Sequence, residues 1–414
     1  MNNAFTWAFA AALLAATVTR LWLAARQTRH VRAHRDAVPV SFAATIPLAA
    51  HQKAADYTVA KTRLAMADVC LSAVLVIALT FGGLLQWLSD AWARVAPPFG
   101  IAHGVALIAT VVLLLSLAEL PLTLYRTFVV EARYGFNRMT LKLFVLDLAK
   151  QALISAALGV PLLVLVLWLM ARMGELWWIW VWAAWAGFNL LVLLIYPSFI
   201  APLFNKFSPL ADRALAQRIE SLLTRCGFRS SGLYVMDGSK RSSHGNAYFT
   251  GFGAAKRIVF FDTLLSRLAP GEIEAVLAHE LGHFKRHHVW KRVAVLFAAS
   301  FALLWALGQL IDQPWFYADL NVRTMSTATA LLLFVLAVPA FTFFLHPLMT
   351  LHSRRHEFEA DAYAVTHANA AELEQALVKL YQDNASTLTP DPLHSAFYDS
   401  HPPAAVRIAR LRTA

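Results

Sequence analysis

Residues His279-Glu280-Leu281-Gly282-His283 have the types and spacing of a metal-dependent hydrolase site. On an α-helix, positions i and i+4 lie on one face, so His279 and His283 can bind one Zn²⁺ together. Glu280 lies at another angle around the helix, from which it can reach a metal-bound water. The motif predicts a zinc protease, with a polar helix face that carries these residues by chance as the alternative. Gly282 further indicates a close approach of this helix to a neighbouring element.

A catalytic zinc site takes a third protein ligand and leaves one position for water. The candidate is Glu357, in the run HEFEAD at 356–361. Glu357 and Asp361 share a helix face, whereas Glu359 lies on roughly the opposite side. We therefore predict that Glu357 binds zinc and that Asp361 orients one ligating imidazole through its other nitrogen. An amphipathic acidic turn is the alternative interpretation.

Other histidines near the motif have simpler explanations. His287 is four residues from His283, but the basic run at 285–288 directly precedes an apolar stretch, where cytosolic positive charge is expected. His346 lies inside another apolar stretch and is interpreted as a packed or cavity-facing residue. We predict that neither is a metal ligand.

The elements that must position these residues lie among long apolar stretches. The 414 residues are 58% hydrophobic and only 15% charged, which excludes an ordinary soluble globule. A helix of roughly 20 residues crosses a hydrocarbon core of about 30 Å. Stretches of that length occur near 5–25, 68–88, 101–125, 143–171, 176–203, 289–311 and 327–350. The first lacks the preceding basic residues of a signal peptide, so we expect it to be retained.

Basic residues set the orientation of these spans. Residues 20–67 hold eight Lys and Arg against two acids, and residues 126–142 hold four against one, whereas the alternate connections have no basic excess. Because basic loops stay in the cytosol, the N-terminus is predicted outside and the C-terminus inside. The net charge of +11 therefore belongs to membrane-flanking loops, and no nucleic-acid partner is predicted.

Two polar segments are expected to form one cytosolic metalloprotease domain. We divide the chain into transmembrane helices 1 to 5 with their loops (1–203), the first part of that domain (204–288), transmembrane helices 6 and 7 (289–350) and its C-terminal part (351–414). Strands are predicted at 232–236, 246–251 and 257–262, and a helix at 271–288. The last two spans form a hairpin that returns Glu357 to the helix of the motif.

Three charged side chains lie within predicted spans, and the chain has two cysteines. Glu119, Asp147 and Lys150 lie within predicted spans, where charge is costly, so they should face a water-filled interior or each other. Cys70 and Cys226 are far apart and have no neighbouring ligand-type residues, so neither a disulfide framework nor a thiolate site is predicted.

The chain resembles the type I CAAX prenyl protease family, which consists of integral-membrane zinc endopeptidases. The resemblance covers about residues 134 to 410. The matching blocks are YGFNRMT at 134–140, IAPLFNKF at 200–207, DGSKRSSHGNAYF at 237–249, HELGH at 279–283, SRRHEFEAD at 353–361 and SHPP at 400–403 through Arg407.

This resemblance implies a mainly α integral membrane protein. Seven transmembrane helices would enclose a water-filled chamber, capped on the cytosolic side by a zincin-like metalloprotease domain with a small β-sheet. Family members remove three C-terminal residues from proteins prenylated on a CAAX cysteine, and some make a second cut upstream. The family pattern assigns one zinc to His279, His283 and Glu357, the base to Glu280, and further site positions to Asn246, His401 and Arg407.

Physical roles can be given to the family positions outside the motif. Asn246, Ala247, Tyr248 and Phe249 are expected to form an edge strand that pairs with an extended substrate through main-chain hydrogen bonds. His401 precedes Pro402-Pro403, a helix-start signal, and Arg407 follows on that helix. Both are therefore predicted to donate to the oxyanion, with a structural cap or surface ion pair as the alternative.

Rival functions use the same residues differently. A bacterial membrane quality-control protease would act on broader substrates at the same zinc. A transporter or lipid-binding protein with a structural zinc would not need Glu280, and a soluble aminopeptidase is excluded by topology. We predict a monomer in the lipid bilayer that acts on a prenylated CAAX peptide or another membrane-associated polypeptide. Short connections favour a bacterial inner membrane, with the endoplasmic reticulum as the eukaryotic equivalent.

Overall fold

The computed structural model describes residues 3–250 and 257–413. The α-helices are α1 Ala4–Ala33, α2 Leu48–Leu79, α3 Leu84–Trp92, α4 Ile101–Tyr125, α5 Leu141–Arg172, α6 Trp177–Ile195, α7 Ala201–Phe204, α8 Arg213–Arg225, α9 Asp262–Leu265, α10 Pro270–Lys285, α11 His288–Leu310, α12 Pro314–Ala318, α13 Thr327–Thr342, α14 His346–His367, α15 Ala370–Asp383, α16 Pro392–Tyr398 and α17 Ala404–Leu411. The strands are β1 Phe207–Pro209, β2 Gly232–Met236, β3 Ala247–Thr250 and β4 Arg257–Phe261.

Seven helical segments in the described ranges are long and apolar enough to cross a membrane, which confirms the predicted number of spans. These segments are Ala4–Ala33, Leu48–Leu79, Ile101–Glu131, Leu141–Arg172, Gly174–Phe204, His288–Leu310 and Thr327–His367. The third and fifth continue beyond α4 and α6 through π-helical turns.

The second span differs from its predicted position at 68–88. Its helix starts at Leu48, within the basic connection, and ends at Leu79. The helical conformation is then interrupted at Gly83, whose φ of 71° suits a residue without a side chain, and the short helix α3 follows. Hydropathy identifies only the apolar second half of this helix. The first half is polar but is helical as well.

The spans are tightly packed at one end, which we call the packed end. It includes the start of α1, α4, α6 and α13 and the end of α2, α5 and α11. Its fully buried side chains include Phe9, Leu79, Leu107, Leu307 and Leu333. Gly104 allows this closeness, because a Cβ there would lie 2.9 Å from Cδ1 of Leu167.

The spans do not form a solid bundle away from the packed end. Within the described fourth span, Asp147 is buried and the next buried residue is Leu167. A cavity of about 680 Å³ lies between the third, fourth and fifth spans, and its lining includes Ser116, Glu119 and Gln151. Glu119 therefore lines a cavity between the spans, and the filling of this interior by water stays a prediction.

The other two intramembrane charges also have partners. Asp147 accepts hydrogen bonds of 2.8 and 3.0 Å from the guanidinium of Arg241, which comes from the segment between β2 and β3. Lys150 donates to the carbonyl of Leu203 at 2.8 Å. The Asp147–Arg241 pair joins the fourth span to the polar part of the chain.

A four-stranded mixed sheet lies beside the HExxH helix, in the order β1-β2-β4-β3. β2 and β4 are parallel, while β1 and β3 run antiparallel to their neighbours. The three predicted strands are confirmed, although position 251 lies outside the described residues. Apolar faces of α8, α10 and α15 pack against the sheet through residues such as Ile219, Leu277 and Phe260. The sheet and these helices share one core. The strand order leaves β3 at an edge of the sheet.

Polar contacts attach this domain to the membrane helices at the end opposite the packed end, which we call the zinc end. Arg26 of the first span pairs with the buried Asp391 at 2.9 Å. The hydroxyl of Tyr57 donates to Glu131 at 2.5 Å, and the other carboxylate oxygen of Glu131 lies 3.6 Å from Nε2 of His244. Together with Arg241–Asp147, these contacts fix the domain to the first, third and fourth spans, and Glu131 also links it to the second span through Tyr57.

Candidate metal centre

The metal centre forms where α10 crosses α14. Pro270 occupies the first turn of α10, and Glu272 accepts a hydrogen bond from the N–H of Ala269 at 2.7 Å, so the helix start is fixed. A Cβ on Gly282 would lie 2.9 Å from Cα of Ala360, so only glycine permits this crossing. The close approach predicted for Gly282 is confirmed, and it brings the residues around Glu357 against the motif.

Ligand atoms from three residues converge at the crossing. Nε2 of His279 lies 3.2 Å from Nε2 of His283 and 3.5 Å from Oε2 of Glu357, and Oε1 of Glu357 lies 3.3 Å from Nε2 of His283. Ligands at about 2.0–2.1 Å from one tetrahedral ion are about 3.3 Å apart, so the two imidazole nitrogens and the Glu357 carboxylate fit a single metal ion. The hairpin of the last two spans therefore brings Glu357 to the motif.

Asp361 supports the first histidine from the same face of α14 as Glu357. Its Oδ1 lies 2.8 Å from Nδ1 of His279, which leaves Nε2 of that ring directed at the metal position. Burial lowers the pKa of His279, but hydrogen bonds to Asp361 and Glu357 outweigh burial and raise its pKa to about 9. The carboxylates thus make this pocket favourable for positive charge, as a cation site requires.

The second histidine has a partner that sequence reasoning missed. Nδ1 of His283 lies 3.0 Å from Nδ1 of His288, which in turn contacts Glu359. The basic residues at 285–288 predict only a membrane flank, but His288 is fully buried. The predicted helix 271–288 is also wrong at its end, because α10 stops at Lys285 and His287 adopts a positive φ of 57°.

A pocket of about 200 Å³ opens beside the metal position. Glu280 lines it and is half-buried, so its carboxylate is accessible from the pocket. Gly245, Asn246 and Ala247 line the same pocket at the start of β3. An aliphatic part of its wall comes from Leu264, Val276, Leu373, Leu377 and Leu380. A main chain bound at this strand edge would therefore lie in the pocket that Glu280 and His279 also line.

The four residues predicted for substrate binding divide between the two faces of the sheet. Ala247 is buried and Phe249 packs against the domain core, whereas Tyr248 lines a separate pocket on the other face. Asn246 comes immediately before β3, and its main-chain carbonyl accepts from Phe261 at 3.0 Å. The strand is therefore positioned by its side chains and by β4, and its first residue, Ala247, lines the active-site pocket together with Asn246.

His401 and Arg407 both lie beside Glu357. Nδ1 of His401 is 2.7 Å from Oε2 of Glu357, and its side chain is 61% exposed. Arg407 is buried and donates to Asp361 through Nε at 2.9 Å and Nη2 at 2.6 Å, while Nη1 lies 3.7 Å from Oε2 of Glu357. Both border the pocket, His401 as an exposed ring and Arg407 as a buried guanidinium held by Asp361.

Asn384 is another contributor that the sequence did not indicate. Its Oδ1 accepts from the N–H of Gly245 at 3.3 Å and lies 3.2 Å from Nδ1 of His244. It thus holds the turn that leads into β3. A lone asparagine at the end of a polar helix carries no motif, so only the folded arrangement reveals this role.

Comparisons with known proteins agree with this geometry. Residues 27–206 match the family described as CAAX prenyl protease N-terminal, five membrane helices, and residues 209–414 match peptidase family M48. The chain is 34% identical over 378 residues to the CAAX prenyl protease 1 homolog of Arabidopsis thaliana, covering 90% of this chain and 89% of that one. It is 37% identical over 329 residues to CAAX prenyl protease 1 of Saccharomyces cerevisiae, covering 75% and 72% of the two chains.

A solved structure extends the similarity to the whole fold. The crystal structure of S. mikatae Ste24p superposes with a TM-score of 0.91 at 29% sequence identity, and the match covers 98% of both chains. The arrangement of spans, sheet and metal-site helices is therefore shared over nearly the full length.

Proposed function

Since this chain belongs to the CAAX prenyl proteases of peptidase family M48, we propose that it is a zinc endopeptidase that removes the C-terminal tripeptide from prenylated CAAX proteins. The observation that carries the proposal is the convergence of two imidazole nitrogens and one carboxylate at spacings of 3.2 to 3.5 Å. Two histidines and a glutamate with an open fourth position suit catalytic zinc.

Residues His279, His283 and Glu357 would hold the zinc. When bound, Zn²⁺ polarises the scissile carbonyl and makes a bound water more acidic. Glu280 takes the proton of the attacking water and transfers it to the leaving nitrogen as the peptide bond breaks. Because Glu280 is not a ligand, its replacement affects proton transfer and not metal binding.

His401 and Arg407 would stabilise the negative charge that develops on the carbonyl oxygen. His401 is exposed enough to turn towards a bound substrate, and Nη1 of Arg407 is the guanidinium nitrogen left over from the Asp361 pair. Preorganised donors of this kind contribute about 2.7–4 kcal/mol each to transition-state stabilisation.

The substrate would add a strand to β3. Asn246, Ala247, Tyr248 and Phe249 offer the free edge, since Ala247 and Tyr248 pair with Phe260 and Val259 on their other side. Main-chain pairing holds an extended peptide regardless of its sequence, and the aliphatic wall of the pocket accepts apolar side chains. Both features suit a short C-terminal peptide that is anchored in the bilayer by its lipid.

The charge distribution supports an N-terminus outside and an active site in the cytosol, and we propose that the chain acts as a monomer. A bacterial inner membrane is the proposed location, with the endoplasmic reticulum as the equivalent if the host is eukaryotic. Substrates would then reach the site from the leaflet in which prenylated proteins reside.

The experiment is cleavage by the purified full-length protein of a farnesylated CAAX peptide, the same peptide without the farnesyl group, and casein. We expect cleavage of the farnesylated peptide, and Glu280→Ala should abolish it while zinc stays bound. Preference for casein would instead indicate a broad quality-control protease. Peptidase activity retained by Glu280→Ala would refute the mechanism.

A further inference from the structure

His288 is a fully buried histidine at the start of the sixth span, outside the HExxH motif. Its Nδ1 lies 3.0 Å from Nδ1 of His283, and its Nε2 lies 3.0 Å from Oε2 of Glu359. The ring therefore stands between a metal-binding imidazole and a carboxylate that is 45% exposed.

The break between α10 and α11 creates this contact. On one continuous helix, His288 would lie about 140° around the axis from His283, and the two side chains would diverge. Instead α10 ends at Lys285, and the left-handed conformation of His287 starts α11 in a new direction. His288 thereby turns back towards the metal site.

One arrangement of protons satisfies every partner when a metal is bound. Nε2 of His283 faces His279 and Glu357, so Nδ1 carries the proton of the neutral ring. That N–H donates to Nδ1 of His288, and the Nε2–H of His288 donates to Glu359. Both imidazoles are then neutral, with one nitrogen of His288 accepting and the other donating.

Stacking fixes the plane of the His288 ring. It lies on the ring of the buried His356 with centroids 3.9 Å apart and an interplanar angle of 10°. Rotation of the His288 ring out of this plane would break the contact, and a half-turn within the plane would remove its nitrogens from His283 and Glu359, so Nδ1 is kept facing His283. Since His356, Glu357 and Glu359 are neighbours on α14, one helix supplies the third ligand, the stacking surface and the terminal carboxylate.

We propose that His288, together with Glu359, is a positioning residue that holds His283 in the tautomer and orientation that bind the metal. The inference rests on the zinc site of the proposed function. It gives His283 the support that Asp361 gives His279, with an imidazole inserted before the carboxylate. Loss of such a partner typically weakens metal binding about 10- to 100-fold.

The test measures zinc affinity of the full-length protein in detergent by competition with a chromogenic chelator. His288→Phe keeps an aromatic ring on His356 but removes the acceptor, so the dissociation constant for zinc should rise about 10- to 100-fold. His288→Asn places an amide oxygen near the lost Nδ1 and should recover most of the affinity. At saturating zinc, the KM of the His288→Phe variant for the farnesylated peptide should match that of the parent.

His287→Asn is the matched control, because His287 is exposed and asparagine tolerates its positive φ. An unchanged zinc affinity in His288→Phe would overturn the proposal, as would equal losses in the Phe and Asn variants. If His288→Phe does not fold, Glu359→Gln replaces it and should show a smaller loss, with unchanged affinity again contradicting the proposal. A parent that binds no zinc would refute the proposed function itself.

Discussion

The packed end and the zinc end of the membrane helices differ in how much of their contact is polar. At the packed end, apolar side chains from all seven spans interlock around residues such as Leu107 and Leu333. At the zinc end, small apolar clusters between the helices and the domain are supplemented by directed polar pairs, including Arg26–Asp391, Asp147–Arg241 and Glu131–His244. Packing at the packed end depends on the complementary shapes of apolar side chains, whereas the polar pairs at the zinc end depend on the direction of individual hydrogen bonds.

This difference separates stability from positioning. Close packing is costly to disturb but is far from the chemistry, whereas hydrogen-bonded pairs specify where the zinc domain sits relative to the spans. Substitutions at the packed end should therefore change the unfolding temperature, and substitutions at the zinc end should change metal affinity or kinetics.

The largest effect on activity at the zinc end is expected for Glu357→Ala. It removes the only carboxylate among the three converging ligand groups, so bound zinc and peptide cleavage should both fall to background. Metal content by mass spectrometry and cleavage of the farnesylated peptide measure the outcome. Glu220→Ala, an exposed change on α8, is the control. Full zinc content in Glu357→Ala would contradict the assigned ligand set.

A smaller loss is expected for Asp361→Asn. The substitution weakens the contact with Nδ1 of His279 and leaves the buried guanidinium of Arg407 without its carboxylate. Zinc affinity should fall about 10- to 100-fold, as measured by chelator competition. Unchanged affinity would show that His279 does not need this support.

A contact between the domain and the spans should affect substrate binding more than turnover. Glu131→Gln weakens the contact with Tyr57 and with His244, which lies two residues before Asn246 at the start of the substrate strand. We expect KM for the farnesylated peptide to rise up to about tenfold, equivalent to about 1.4 kcal/mol, with little change in kcat. A selective fall in kcat would show that this contact acts on the chemistry instead.

The smallest effect on activity is expected at the packed end. Leu107→Ala opens a cavity in a fully buried position and should cost about 2–5 kcal/mol of stability, lowering the unfolding temperature in detergent. Activity per folded molecule should stay within about twofold at low temperature, because the metal site is at the other end of the spans. Leu113→Ala, 58% exposed on the same helix, is the matched control. A fall in the kcat of Leu107→Ala would contradict the view that the packed end affects stability and not activity.

The sequence predicts those features that depend on periodicity and fixed spacing. Hydropathy identifies seven spans, the i and i+4 rule places His279 with His283, and the same rule places Glu357 with Asp361. The predicted hairpin of the last two spans brings together His283 and Glu357, which are 74 positions apart in the sequence. These features need only the geometry of one helix or the thickness of one bilayer.

Other features depend on tertiary structure and leave no pattern in one sequence. His288 reaches His283 only because His287 breaks the helix, and no helix-stop residue marks that position. Asn384 matters because α15 ends beside Gly245. The packed end likewise arises from the convergence of seven separate segments, each of which is apolar along most of its length.

The separation of the metal ligands by a membrane hairpin has a consequence for biosynthesis. A ribosome that has completed α10 has made His279 and His283, but α11 and α13 must still enter the bilayer before α14 can supply Glu357. An unfinished or uninserted chain therefore lacks one ligand and cannot assemble the hydrolytic centre. The order of synthesis keeps the enzyme inactive until it resides in the membrane that holds its substrates.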